Sequence, residues 1–351
     1  MKRLILISAL LAMGGAAQAQ QPTVTVIAIP PLTSPNTGAK GNEMLALGWE
    51  ATQLIGTDLR QTSEIMPLTS KRDDYYSYPE VTAPTFSKWR AKGARALVTG
   101  FVQSRSDGRL TVGCYVYDVE KGRELMRKGF VIGPNDWRRA AHKCSGLAYT
   151  AITGAPGIFD TRIAYVAESG VGDARVKRIA VMDSDGGGHR YVTGPEAMVL
   201  TPRLAPKSEQ IAYVSFMGGT PHVRVRDLEG SNDRALLSPG SMSFAPRFAP
   251  DGRRIVVSIS LNGNTDLYAV PAEGGAPTRL TTSPGIDTDA SFSPDGNRIV
   301  FESDRGGSQQ LYVMNADGSG QRRISFGGGW YAAPQWSPDG EWIAFTRRGQ
   351  D

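Results

Sequence analysis

Hydrophobic and polar positions alternate through the C-terminal half of the chain in short strands that recur every 44 residues. Apolar strands begin at Ile211, Ile255, Ile299 and Ile343, and each follows a turn, most clearly Ser-Pro-Asp-Gly at 293–296 and 337–340. Four short strands with glycine turns in each unit are typical of one propeller blade, because a lone four-stranded sheet can bury both faces only against neighbouring sheets. The pattern predicts an all-β propeller over residues 156–351.

The number of repeats predicts an incomplete ring. Residues 163–336 hold four units, and a fifth ends one strand after its turn. Six blades at this period need about 264 residues. We therefore expect a C-terminally truncated six-bladed propeller with about four blades and one strand, whose open edges make it less stable than a closed ring.

Residues 20–155 lack the 44-residue period and mix two kinds of pattern. Helical spacing runs over Asn42–Gln61, Thr85–Gly93 and Pro134–Thr153, while Ala96–Ser104 and Glu124–Ile132 alternate as strands do. These features predict a small α/β domain in front of the propeller.

The first 19 residues have the three parts of a secretory signal peptide. Lys2 and Arg3 precede a short apolar run, and Ala17-Gln18-Ala19 is a small-residue cleavage motif. We expect cleavage between Ala19 and Gln20 and a periplasmic protein. The later sequence contains no segment that reads as a membrane span.

Charge and cysteine content indicate which partners and which covalent links to expect. The net charge of +5 is spread along the chain without a basic run, so nucleic acid is not an expected partner. Cys114 lies on a strand face and Cys144 on a helical stripe, and both faces point towards the same core. In an oxidising compartment this permits one disulfide, with two buried thiols as the alternative.

The residues that catalysis requires are scarce. There are three histidines, and no Gly-x-Ser-x-Gly, His-Glu-x-x-His or P-loop motif occurs, so we expect no enzyme activity, metal or cofactor. The segment 183–187 begins like a calcium loop. Its Asp-Gly recurs at the turn of every blade, however, and this favours a hairpin turn.

The chain resembles the TolB family of the bacterial Tol–Pal envelope system, and its alphaproteobacterial branch in particular. The resemblance is carried by the junction at 158–166, by Phe301-Glu302-Ser303-Asp304-Arg305 and by the segment 312–318, together with the domain order and the signal peptide. The chain departs from the family in ending early and in having Cys144-Ser145-Gly146 where an Ala-Asp pairing is more usual.

The resemblance implies a non-enzymatic docking protein. Such proteins bind the lipoprotein Pal at the mouth of the propeller channel and TolA through the mature N-terminus, they support outer-membrane invagination during division, and they are exploited by colicin-type bacteriocins. Carried over to this chain, the TolA-binding segment is Gln20, Gln21, Pro22, Thr23, Val24, Thr25 and Val26.

The Pal-facing positions implied by the resemblance are loops before each inner strand. They are Thr201, Met242, Phe244, Ile286, Thr288, Asp289 and Tyr331, and Val199 is an equivalent position. Thr288-Asp289 matches a Thr-Glu pair of the family, whereas Met242 stands where some members have histidine. The alternative is that these residues only line the tops of the blades.

Two other functions are compatible with the repeat. One is the propeller gate of an exported prolyl-oligopeptidase-like peptidase, which would need a hydrolase domain. The other is a propeller that binds sugars or small molecules, which would need an aromatic-lined channel. Trp330 and Tyr331 are the one adjacent aromatic pair that could serve such a channel.

Overall fold

The computed structural model describes residues 24–349 except 73, 75, 196–197 and 239–241, and it leaves the side chain of residue 173 undescribed. The chain divides into two compact units, one ending at Thr161 and the other beginning at Arg162. The sequence placed this boundary at 155/156. The predicted signal peptide and the segment Gln20–Thr23 lie outside the described residues.

Five strands and three α-helices lie in the part of the first unit that the structure describes. The strands are β1 (Thr25–Ala28), β2 (Ile65–Pro67), β3 (Ala96–Ser104), β4 (Leu110–Asp118) and β5 (Arg123–Ile132). The helices are α1 (Gly38–Arg60), α2 (Phe86–Ala91) and α3 (Trp137–Thr153), with short 3-10 turns at Tyr78–Val81 and Pro134–Asp136.

These strands form one mixed sheet in the order β2-β1-β3-β4-β5. Strand β1 lies between β2 and β3 and pairs in parallel with both, whereas the central strand β3 pairs antiparallel with β4, and β4 with β5. Helices α1 and α3 bury their apolar faces on this sheet, and Ile27, Ile55 and Val98 are completely buried in the shared core. The α/β architecture predicted for this region is confirmed.

One disulfide and one polar contact cross the core of this unit. Cys114 on β4 and Cys144 on α3 are joined by a disulfide, with their Cα atoms 5.8 Å apart. Asp58 on α1 lies 2.8 Å from Nδ1 of His142 on α3, and both side chains are almost fully buried. The two helices are therefore fixed by a polar contact as well as by apolar packing.

The described residues of the second unit form seventeen strands. They are β6 (Arg162–Ser169), β7 (Val176–Asp183), β8 (Arg190–Tyr191), β9 (Val199–Leu204), β10 (Gln210–Ser215), β11 (His222–Asp227), β12 (Asp233–Ala235), β13 (Met242–Phe248), β14 (Arg254–Leu261), β15 (Asn264–Pro271), β16 (Thr278–Arg279), β17 (Asp287–Phe292), β18 (Arg298–Ser303), β19 (Gln310–Asn315), β20 (Arg322–Arg323), β21 (Trp330–Trp336) and β22 (Ile343–Arg348). A 3-10 turn spans Gly172–Ala174.

The described strands form five antiparallel sheets. Three of the sheets have four strands, β9 to β12, β13 to β16 and β17 to β20, while β6 to β8 form a three-stranded sheet and β21 with β22 a two-stranded one. The prediction of propeller blades is confirmed, but blade and sequence repeat are offset by one strand. The segment that closes each sequence unit, such as the one ending at Phe248, pairs with the strand that follows it.

The Ser-Pro-Asp-Gly turns explain why the repeat keeps these residue types. In the 293–296 copy, the Arg298 N–H donates to the Ser293 hydroxyl at 3.0 Å, and the Asn297 N–H donates to the Asp295 carboxylate at 3.1 Å. Gly296 has φ +73°, in the left-handed region. The hydrogen bonds from Ser293 and from the Asn297 backbone lower the pKa of Asp295. Each turn thus satisfies its own backbone donors.

Burial differs between the complete and the terminal sheets. Ile211, Ile255 and Ile299 are completely buried, whereas Ile163 at the equivalent position of β6 is 42% exposed. In the last sheet Phe345 is 48% exposed, while Phe301, one repeat earlier, is completely buried. At these positions the first and last described sheets therefore bury less apolar surface than the three sheets between them.

Candidate partner-docking site

Each inner strand of the propeller bends at the same repeat position. Thr201, Ala245, Asp289 and Ala333 lie 44 residues apart, and their φ angles are +46°, +51°, +49° and +52°. Non-glycine residues rarely adopt this left-handed backbone, which costs about 1–2 kcal/mol each. We call these four residues the bend positions.

A β-bulge causes each bend. Between Thr288↔Glu302 and Ser291↔Val300 two residues of β17 face one residue of β18, and the same register shift occurs in β9, β13 and β21. A bulge inserts one unpaired residue, bends the strand and redirects its side chain. The sequence contains no glycine at these positions, so this repeated feature was not predictable from turn residues.

The predicted Pal-facing residues are placed in strands more than in loops. Thr201, Met242, Phe244, Thr288, Asp289 and Tyr331 lie within the inner strands, and Ile286 lies just before β17. The segments predicted as loops belong to strands because antiparallel pairing continues on both sides of each bulge.

The accessibility of these residues differs. Met242 and Ile286 are 40% and 50% exposed, and Thr201 is exposed as well. Tyr331 and Val199 are buried, and the Tyr331 hydroxyl donates to the Phe326 carbonyl at 2.9 Å. The structure therefore does not bring all seven predicted residues to one accessible surface.

Thr288 is joined to the preceding sheet by a hydrogen bond. The Ser258 hydroxyl, on the preceding sheet, donates to the Thr288 hydroxyl at 3.0 Å. One repeat later Glu302 occupies the position of Ser258, and the backbone N–H of Ala333 on the following sheet favours its ionised form, which opposes the rise of its pKa. This position on the second strand thus reaches the bulge of the next sheet in two successive repeats.

Glu302 is a site residue to which the sequence analysis gave no role. It is only 4% exposed, and Nε2 of Gln309 donates to its carboxyl at 2.6 Å. It also hydrogen-bonds the carboxyl of Asp289. Burial, followed by the negative charge of Asp289, raises the pKa of Glu302 from 4.5 to about 7.

Arg203 provides the charge that faces Asp289. Burial lowers the pKa of its guanidinium, and the opposing influence comes from the Asp289 carboxylate. Strands β9 and β17 belong to sheets separated by the β13 sheet, so this electrostatic influence links groups that are two sheets apart. Nε of Arg203 is buried with no hydrogen-bond partner among the described residues.

A buried ion pair supports the start of β17. Asp287 is fully buried, and Arg305 donates to its carboxylate at 2.7 Å. Arg305 also donates to Gln321 at 2.6 Å and lies over the ring of Tyr312. The backbone leading into Thr288 and Asp289 is therefore held by side chains of its own sheet.

The opposite end of the sheets carries an open groove of about 550 Å³ between the second and third sheets. It is lined by turn residues of both signs, Lys207 and Arg253 with Glu209, Asp227 and Glu273 among them. None of the predicted docking residues lies there. The bend positions and this groove are thus separate features of the propeller.

The fold defines a class of protein, a β-propeller of 44-residue blades preceded by an α/β domain. The family model described as the TolB amino-terminal domain matches residues 18–125, and the one described as the TolB beta propeller domain matches residues 149–351. The second match covers more than half of the chain. The chain belongs to the TolB family.

Individual relatives agree with this assignment. The "Tol-Pal system protein TolB" of Zymomonas mobilis is 50% identical over 200 residues, which are 57% of this chain and 44% of that protein. The protein of the same name from Sphingopyxis alaskensis is 49% identical over 194 residues, 55% of this chain and 43% of its own length. The matched segment thus spans less than half the length of these curated relatives.

A solved structure extends the comparison to nearly the whole chain. TolB from Acinetobacter baumannii superposes with a TM-score of 0.67 at 30% identity, over 93% of this chain and 78% of that one. Among the residues that our structure describes, no helix combines the length and hydropathy needed to cross a membrane.

Proposed function

We propose that this chain is a periplasmic component of a Tol–Pal envelope system, in which it acts as a docking protein and not as an enzyme. The observation that carries the proposal is the family membership of both units together with the bend positions, where Thr288 and Asp289 lie on a strained and tightly held part of β17. Strain that the surrounding structure maintains is concentrated at binding sites.

In this proposal the inner-strand end of the propeller binds the lipoprotein Pal. Ile286 and Met242 offer exposed apolar side chains there, and Thr288 and Asp289 offer polar groups between them. An apolar contact surface with a few fixed polar groups is the usual composition of a specific protein interface.

The test is a titration of the purified full chain with the soluble domain of Pal from the same organism. We expect Ile286→Asp to weaken binding at least tenfold, since it places a charge inside the proposed interface. Val131→Asp is the matched control, because Val131 is similarly exposed (48% against 50%) but lies on β5 of the α/β domain. Equal affinities of the two variants would refute this placement of the interface.

The second proposed contact is between TolA and the mature N-terminus. Thr25 and Val26 belong to β1 and pair with Ile65 and Met66, whereas Gln20–Thr23 precede the described residues. A variant without Gln20–Thr23 should therefore lose TolA binding and keep the melting temperature of the α/β domain. Undiminished TolA binding by this variant would contradict the proposal.

Export and the role in cell division follow from the same assignment. We expect the mature protein to begin at Gln20, which mass spectrometry of the periplasmic fraction can check. Loss of the gene should impair outer-membrane invagination, and cells should recover with the wild-type chain. Recovery by Ile286→Asp at wild-type protein levels would show that the proposed Pal contact is dispensable in cells.

A further inference from the structure

Three exposed methionines lie at the inner-strand end of the second and third sheets. Met198 directly precedes β9, Met217 lies in the β10–β11 turn, and Met242 is the first residue of β13. Their side chains are 51%, 55% and 40% exposed. We call these three residues the methionine strip.

Backbone hydrogen bonds hold the three segments of the strip together. The Phe216 N–H donates to the Met198 carbonyl at 3.0 Å, which joins the start of β9 to the β10–β11 turn. The Ser243 N–H donates at 3.1 Å to the carbonyl of Pro221, which joins the same turn to the start of β13. The strip therefore crosses from one sheet to the next at a fixed place in the fold.

The strip occupies repeat positions that are apolar and exposed in other sheets as well. Positions 198, 242, 286 and 330 are 44 residues apart, and Ile286 and Trp330 are both exposed. Leu261, which is also exposed, follows position 217 by the same interval. Apolar side chains that recur at one end of a molecule mark an interaction surface. Methionine suits such a surface because its flexible thioether adapts to the partner.

Accessibility also makes the strip a target for oxidation, because an oxidant must reach the sulfur atom. Both cysteines of the chain are joined in the disulfide, so no thiol competes for the oxidant. Met44 and Met314 are buried, and Met126 and Met182 are half-buried. Met66 on β2 of the α/β domain is 50% exposed. It matches the strip in accessibility and lies on a different unit, so it serves as an internal control.

We propose that the methionine strip is a reversible oxidation site that controls docking at the inner-strand end of the propeller. With hydrogen peroxide as the oxidant, the O–O bond breaks and one oxygen bonds to the thioether sulfur, which loses two electrons, while the other oxygen leaves as water. The product is a polar sulfoxide, which sulfoxide reductases return to the thioether.

Oxidation weakens docking because the sulfoxide has to be buried against the partner. Burial of a polar group without a hydrogen bond is unfavourable, whereas burial of the thioether is favourable. The inference rests on the proposed function, since it assumes that Pal binds at the inner-strand end. It adds that the affinity depends on the oxidation state of three named side chains.

The test is partial oxidation of the full chain with hydrogen peroxide, followed by passage over a limiting amount of the immobilised soluble domain of Pal. Catalase removes the peroxide first, so that Pal itself is not oxidised. Mass spectrometry then gives the sulfoxide fraction at each methionine in the bound and the unbound chains. We expect the fractions at Met198, Met217 and Met242 to be about tenfold lower in the bound chains. The fraction at Met66 should be the same in both.

A variant that combines Met198→Leu, Met217→Leu and Met242→Leu has no sulfur in the strip. Whatever its starting affinity, peroxide treatment should leave that affinity unchanged. Met66→Leu should lose about tenfold on oxidation, as the wild type does, and a methionine sulfoxide reductase should restore both.

Equal sulfoxide fractions in bound and unbound chains at the strip would overturn the inference, and this comparison needs no variant. A triple variant that weakens on oxidation as much as the wild type would overturn it too. Absence of binding by the unoxidised chain would refute the proposed function, and the inference would fail with it.

Discussion

Replacing Ala245 with glycine tests whether the bend positions store strain. Ala245 has φ +51°, a conformation that costs an alanine about 1–2 kcal/mol and a glycine almost nothing. Glycine also has greater conformational freedom in the unfolded chain, and this lowers the free energy of unfolding by about 0.5–1 kcal/mol. Loss of the half-buried methyl group lowers the free energy of unfolding by about 0.4 kcal/mol more. We therefore expect Ala245→Gly to leave the free energy of unfolding within about 1 kcal/mol of the wild type.

Ala269→Gly is the matched comparison. Ala269 is half-buried on β15 of the same sheet and does not have a positive φ. It has no strain to release, so its substitution should lower the free energy of unfolding by about 1–1.5 kcal/mol. The measurement is urea unfolding of the two variants, followed by circular dichroism. The reasoning predicts a difference of about 1–2 kcal/mol in favour of Ala245→Gly, and equal losses in the two variants would refute it.

Three further experiments test the buried disulfide, the buried Asp58–His142 pair and the buried carboxyl of Glu302. Cys114→Ala with Cys144→Ala opens a 30-residue loop and should lower the free energy of unfolding of the α/β domain by about 3–4 kcal/mol in urea melts; a loss below about 1 kcal/mol would contradict this. His142→Leu leaves the Asp58 carboxylate buried without its imidazole and should cost about 3–5 kcal/mol, much of which Asp58→Leu should restore; no recovery in the double variant would contradict the pairing. The raised pKa of Glu302 means that the folded state retains a proton which the unfolded chain loses between about pH 4.5 and 7, so wild-type stability should fall across that range and level off above it. Glu302→Gln should remove about 1–3 kcal/mol of that fall after allowance for solvent screening, and identical pH profiles of thermal unfolding would contradict the assignment.

The architecture was predictable because it depends on local and periodic information. Turn residues and apolar strands recur at a fixed spacing, and β3 has the bounds that alternation predicts, Ala96–Ser104. Helix α1 begins at Gly38, four residues before the predicted start at Asn42, because its first turn is mostly exposed and carries no apolar period. Periodicity cannot locate a helix end that makes no contact with the core.

The candidate site was less accessible to sequence reasoning. The bend at Asp289 has no glycine to signal it, and the approach of Arg203 joins strands that are two sheets apart. The role of Glu302 depends on a backbone N–H in the following repeat, at Ala333. Repeat alignment did place Thr201 and Asp289 at equivalent positions, but the accessibility of Met242 and the burial of Tyr331 depend on packing that only the structure shows.

The one-strand offset between repeat and blade bears on how such a chain can change in evolution. Every 44-residue unit contributes its last strand to the sheet of the following unit, so no unit corresponds to a complete sheet. Recombination can remove or add one 44-residue unit. The inner strand at the end of one unit is then followed by the three outer strands of a different unit. The resulting sheet still has one strand of each type in the correct order. Blade number can change in this way without producing an unpaired strand at the joint, and the inner edge of each sheet tolerates exchange as long as the bend position is kept.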